Sequence, residues 1–163
     1  MADRPDPLLR AADIAAMAGL AKTHFLNPKA RRLNKSLGDA TGMTGLGIHL
    51  IEVQPGDVTT EHHVHHHEDE AVFILSGTAD AYIGDRVESL GPGDFLGYAA
   101  GGEAHSLVAT GDEPLRCLVV GQRLDHDVAD YPRKRKRIFR NVGQPWTLVD
   151  HDALESVVAR AKK

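Results

Sequence analysis

From Gly47 onward the chain breaks into short apolar or alternating runs, each closed by glycine, proline or an acidic turn. The runs span 47–54, 63–65, 71–75, 79–83, 86–90, 94–98, 105–109 and 115–123. Segments of this length between such breakers predict β-strands. The breakers are Pro55-Gly56-Asp57, Ser76-Gly77-Thr78, Gly91-Pro92-Gly93-Asp94, Gly101-Gly102 and the stretch from Thr110 to Pro114. Gly84-Asp85, between two of the runs, predicts a tight hairpin turn. No stretch from 47 to 123 sustains a period of 3.6, so a helical reading fails. Around eight strands without long helices predict an all-β fold, a barrel or a double-sheet sandwich.

The flanks carry a weaker pattern. Residues 1–45 read as an irregular arm with a short helix over about 8–17, and 27–45 show no clear period. The chain is predicted to close in a short C-terminal helix over about 152–162, capped by Asp150 or Asp152. The expected division is an arm over 1–45, a β-barrel over 46–123, and a basic segment with a helix packing on the barrel over 124–163.

At 163 residues the chain fits one domain. No apolar stretch approaches the roughly 20 residues that span a bilayer, and the acidic, proline-containing start does not read as a secretory leader. The single cysteine, Cys117, excludes an internal disulfide and any multi-thiolate metal site, and fits a reducing cytoplasm. A cytoplasmic protein without a membrane partner is expected. The net charge of −4 hides an asymmetry: 1–132 sum to −10 and 133–163 to +6. An acidic body does not attract nucleic acid, whose binding rests on Lys and Arg. The run Arg133-Lys134-Arg135-Lys136-Arg137 reads as a solvated face that pairs with acids, here or in a neighbouring subunit.

The chemistry concentrates in histidine. Five of the ten histidines fall within 62–67, followed by Glu68, Asp69 and Glu70. Alternate residues of a strand share a face, so His63 and His65 can point together into a barrel, with Glu70 on the next strand and His105 opening another. Three imidazoles and a carboxylate suit Fe, Mn, Ni, Co or Zn and leave positions open for a small molecule. The competing reading is a solvated histidine-rich loop that binds metal adventitiously. His62 and His67 stand close enough to substitute in the set, but strand parity turns both the other way. His24, His49, His126 and His151 read as incidental, and Glu61, His62 and His66 as mainly solvent-facing. Counting inward from Glu70 and His105 predicts Val72, Ile74, Leu107 and Ala109 beneath the site, an apolar pocket. Tyr98 and Arg123 are the candidate polar catalytic additions at its mouth.

His63-x-His65, four residues to Glu70 and six more to Gly77 resembles the first motif of the cupin superfamily. Pro92-Gly93-Asp94 and Gly101-Gly102 leading to His105 resemble the second. The resemblance covers about 47–122, and it departs at Ala99, at Ala109 and in the spacings of Gly56 and Gly101. It implies a double-stranded β-helix, or jelly-roll, barrel with His63, His65, Glu70 and His105 as ligands of one divalent transition metal per chain. It further implies a metal-dependent enzyme on a small oxygenated or carbohydrate-like molecule: a dioxygenase-like oxidoreductase, a lyase or decarboxylase, or a sugar-phosphate isomerase. The alternative is a non-catalytic small-ligand binding or sensing module. For the isomerase, 46–123 supply only Arg86, Arg116 and Arg123 to hold phosphate. An arm and tail able to cross to a second copy imply a homodimer.

Overall fold

The computed structural model describes residues 5–158, and thirteen strands dominate it. A short helix, α1 (Ala11–Ala16), leads into β1 (Leu20–His24) and β2 (Asn27–Ser36), then one helical turn, α2 (Leu37–Ala40). The barrel strands follow: β3 (Leu46–Val53), β4 (Val64–His65), β5 (Glu70–Ser76), β6 (Thr78–Ile83), β7 (Arg86–Leu90), β8 (Phe95–Tyr98), β9 (His105–Thr110) and β10 (Leu115–Gln122). The chain ends in β11 (His126–Tyr131), β12 (Lys136–Asn141) and β13 (Thr147–Asp150).

The strands form two facing walls. One is a single antiparallel sheet in the order β1-β2-β3-β10-β5-β8. The other joins β7-β6-β9 to β4-β11-β12-β13 through the bridge His63↔His105. At one end the walls enclose an apolar core that includes Ile51, Val53, Ile74, Leu107, Leu115 and Cys117. Val72, Ile74, Leu107 and Ala109 are all buried in it, on the faces that alternation predicted. Fully burying a side chain such as Ile74 or Leu115 stabilises by about 1.5–3 kcal/mol, so this end fixes how the walls meet.

Gly77 joins β5 to β6 at a φ of 76°, where a Cβ would stand 2.6 Å from the Pro114 carbonyl oxygen. The position therefore demands both a positive φ and an absent side chain. Gly84 makes the expected hairpin turn between β6 and β7 at a φ of 55°.

Both flanks differ from their sequence reading. The stretch expected as an irregular arm builds the hairpin β1–β2, which extends the large sheet. Its weak period has a physical cause: β2 turns Ala30, Arg32 and Asn34 inward, not large apolar residues. At the other end β12 and β13 occupy ground read as a basic segment. Of the helix expected over 152–162, a single 3₁₀ turn at His151–Ala153 is present and 154–158 have no regular structure. The remainder lies outside the described residues. Four of the five cations of the basic run pair with acids of the chain: Lys134 faces Glu61 at 3.8 Å, Lys136 meets Asp150, Arg135 meets Asp152, and Arg137 holds Asp130 at 2.7 Å, while Arg133 lies over the Tyr82 ring. No helix among the described residues is long and apolar enough to cross a membrane.

Candidate metal centre and substrate pocket

His63 lies on the extended segment entering β4 and pairs directly with His105, the first residue of β9. Their backbones exchange hydrogen bonds of 3.1 and 2.8 Å, which puts both side chains on one face. His65 shares that face and pairs with Ala129 of β11. Glu70 opens β5 on the opposite wall, in register with Gly121 and Tyr98. His63, Glu70 and His105 each offer one ligand atom, all within 4.8 Å of one another. His65 Nε2 joins them at 3.2 Å from His63 Nε2. Of the four residues singled out in the sequence, His63, Glu70 and His105 meet at one place and His65 adjoins them through His63.

The hydrogen bonds behind the rings set their tautomers. His63 Nδ1 is 2.9 Å from the Glu61 carbonyl oxygen, His105 Nδ1 3.3 Å from the Glu103 carbonyl oxygen, and His65 Nδ1 2.8 Å from the Asp127 carboxylate. Those oxygens only accept, so each Nδ1 donates and each ring turns its Nε2 inward, as a lone pair wherever the ring is neutral. A cation between the His63 and His65 Nε2 atoms, 3.2 Å apart, would be coordinated by both rings. The buried His105 Nε2 has no hydrogen-bond partner, its nearest carboxylate oxygen on Glu70 being 3.5 Å away. Burial, aided by the neighbouring imidazoles and opposed by Glu70, lowers His63 to about 3 and keeps it neutral. Burial alone would raise the Glu70 carboxyl, but His105, His63 and His65 outweigh it and hold it at about 2. Three inward imidazole nitrogens beside an ionised carboxylate are a donor set a transition-metal ion takes, so the residues fit the metal that the resemblance implies.

A second triad, His65, Glu68 and Asp127, also has ligand-like spacing, but Arg140 already neutralises its carboxylates. Asp127 is 1% exposed and accepts from His65, from Arg140 at 2.6 Å and from the backbone amides of His67 and Glu68. Burial opposes its charge, yet His65 and Arg140 prevail and hold it well below the usual carboxylate range. Its place behind His65 is that of a ring-orienting carboxylate. Tyr98 stacks flat on His105, ring centroids 3.4 Å apart, with its buried hydroxyl unpartnered. Burial and then Glu70 raise its pKa, so it stays protonated.

The cluster lines a cavity of about 610 Å³, and here the sequence reading needs correction. Apolar residues such as Ile51, Val72, Leu107 and Val119 line it, but charged and polar side chains stand among them. Lys22 and His24 from β1, Arg32 and Asn34 from β2, His49 from β3, Arg123 after β10 and Arg140 from β12 all line it. His24 and His49 are therefore pocket residues, not incidental ones. Glu61 and His62 are buried, not solvent-facing: the Glu61 carbonyl anchors His63, and His62 Nδ1 meets Ser106 Oγ at 3.2 Å. His66 is half-buried against Asp130 at 2.9 Å. Of the two catalytic candidates, Arg123 lines the cavity and pairs with Asp39 at 2.5 Å, whereas Tyr98 packs behind His105.

The sequence profile of the cupin domain matches residues 49–121. A solved structure from Acidithiobacillus ferrooxidans, a candidate sugar phosphate isomerase, superposes with a TM-score of 0.91 at 48% identity, over 94% of this chain and 98% of its own. The chain belongs to the cupin superfamily. A second cupin, the sugar phosphate isomerase from Silicibacter pomeroyi, superposes on this one at a TM-score of 0.74. It is 24% identical over 85% of this chain and 90% of its own, a likeness that speaks for the fold alone. No curated protein matches this cupin in sequence. The cupin profile takes in all four clustered ligand candidates and leaves Lys22, Arg32, Arg123 and Arg140 outside it.

Proposed function

We propose that this cupin is a metal-dependent sugar-phosphate isomerase that holds one divalent transition metal per chain through His63, His65, Glu70 and His105. The carrying observation is the set of three inward Nε2 atoms beside Glu70, in the wall of a cavity that also holds Lys22, Arg32, Arg123 and Arg140. The 48% identical relative named as a candidate sugar phosphate isomerase supports the same reading. When bound, the metal supplies a Lewis acid that polarises a substrate oxygen. The chain's own residues do the rest. A cavity of about 610 Å³ suits a small molecule and surrounds it with polar groups. Burial, then the nearby cations, lowers the pKa of both His24 and His49, which are neutral near pH 7 and able to move a proton. Dioxygenase or lyase chemistry needs only the metal end of the site; the cations at the other end favour a phosphorylated substrate.

Aldose phosphates incubated in D₂O with protein loaded separately with Fe, Mn, Ni, Co or Zn test this reading by NMR. Ketose formation with deuterium entering beside the carbonyl is the expected result. Tight binding without turnover across the panel instead identifies a sensing module. The assembly is proposed to be a homodimer through the outer face of the large sheet. There Phe73 and Phe95 pair across β5 and β8 while 39% and 66% exposed, and β8 is an open edge. Light scattering should give a dimer mass that Phe73→Glu with Phe95→Glu reduces to a monomer; a monomeric unmodified protein refutes it.

A further inference from the structure

The hairpin β1–β2 does more than lengthen a sheet. Lys22 of β1 stands directly opposite Arg32 of β2, so two like charges share one face of an antiparallel pair, an arrangement that costs stability. Neither has a carboxylate within ion-pair distance among the described residues; Arg32 donates to the Thr59 carbonyl oxygen, and its Nε is buried without a partner. Burial and then Arg32 lower the Lys22 pKa, while burial lowers that of Arg32 against the pull of Glu70. The last effect places Arg32 within the electrostatic reach of the proposed metal centre.

The neighbouring strands complete a basin. His49 of β3 is held by Asn34, with its Nδ1 3.2 Å from Asn34 Nδ2. Arg123, after β10, folds back over Gly47, where a Cβ would stand 3.1 Å from both Arg123 Nε and His49 Nε2. Gly47 pairs with Gly121, and Gly121 pairs with Glu70. Two glycines therefore occupy the inner row between Glu70 and the cations and contribute no side chain of their own to that floor. The cavity runs unbroken from the imidazole cluster to the basic basin.

We infer that Lys22, Arg32, His49 and Arg123 form a subsite for a phosphoryl dianion, reached across the Gly47–Gly121 floor from the metal centre. The inference rests on the isomerase reading and deepens it by naming the residues that hold the phosphate end. Charge matching selects the ligand. Asp39 neutralises Arg123 at 2.5 Å, which leaves the charges of Lys22 and Arg32 to meet a dianion; a monocarboxylate would balance half of them. All four residues except His49 lie outside the segment matched by the cupin profile, so recognition of the anion belongs to the flanking strands, not to the barrel motif.

The test titrates the full chain with inorganic phosphate by calorimetry, beside sulfate and acetate, and measures bound metal in the same samples. Phosphate and sulfate should bind and acetate should not. Lys22→Met should weaken phosphate about tenfold to a hundredfold, as for a lost hydrogen bond to a charged group, with metal content unchanged. Arg32→Met should do the same. Lys22→Met, at a half-exposed hairpin position, keeps the test open if removing the Arg32–Thr59 contact prevents folding. Gly121→Val should block the floor and raise the KM of a phosphorylated sugar while inorganic phosphate still binds. Phosphate binding that is absent from the unmodified chain, or equal in Lys22→Met, overturns the subsite. Phosphate binding that follows the cations in a protein without isomerase activity sustains the subsite and overturns the isomerase reading.

Discussion

A His63→Ala, His105→Ala double variant should emerge from dialysis with bound metal reduced from about one ion per chain to none. The two rings supply two of the three inward Nε2 atoms, and both are buried. Mutating even a group that only orients a ligand costs about tenfold to a hundredfold in metal affinity, so losing two donors should exceed a hundredfold. The fold should survive, because the pair is joined through its backbones at 3.1 and 2.8 Å and alanine retains those bonds. Elemental analysis gives the stoichiometry, and thermal melting supplies an independent check. A metal at one hundred times its Kd stabilises a native protein by about 2.7 kcal/mol, a gain the unmodified chain should show and the double variant should lack. Stoichiometric metal retained by the double variant places the site elsewhere.

Asp127→Ala should be the most damaging single polar substitution. The side chain is 1% exposed and receives His65, Arg140 and two backbone amides, so alanine leaves the half-buried Arg140 guanidinium with Glu68 as its remaining carboxylate. Breaking a buried pair from one side costs about 3–5 kcal/mol, readable in chemical denaturation. Asp127→Asn separates structure from ligation. Its amide retains the volume, but its oxygen is a weaker acceptor for His65 Nδ1, so metal affinity should fall about tenfold to a hundredfold with a smaller loss of stability. The pH dependence follows from the same contacts. The folded-state pKa of Asp127 is depressed, so its contribution is complete above the ordinary carboxylate pKa near 4 and is lost as pH falls below it. The unmodified chain should therefore lose stability more steeply than Asp127→Asn between about pH 4 and pH 2. Parallel acid profiles for the two proteins would sink this account.

The barrel was legible because its inward residues are apolar. Val72, Ile74, Leu107 and Ala109 alternate with outward positions, and each is buried where alternation put it. The four clustered residues were legible for a related reason: parity on one strand selects His63 and His65 over His62, and His62 turns away toward Ser106. The cavity walls were hidden because their inward residues are themselves functional. In β2 they are Ala30, Arg32 and Asn34, and in β11 Asp127, Ala129 and Tyr131, so no hydrophobic period marks the strand. Strands that line a polar cavity read as loops when apolar alternation is the signal. His24 was passed over for the same cause, since β1 has no apolar face to declare it, whereas His49 stood in a predicted strand on the face it shares with Ile51 and Val53.

β10 lies between β3 and β5 in the large sheet, although it follows both in the chain. As the polypeptide leaves the ribosome, Leu46–Val53 and Glu70–Ser76 are complete well before Leu115–Gln122 exists to join them. Each then waits with an unpaired edge and apolar side chains such as Ile51 and Ile74 uncovered. Pairings between sequence-distant strands form slowly, and such edges are where nascent chains associate wrongly. Synthesis is therefore the hazardous period for this chain. A slowed or stalled ribosome short of residue 115 should yield aggregate, and one that has released β10 should yield a closed barrel.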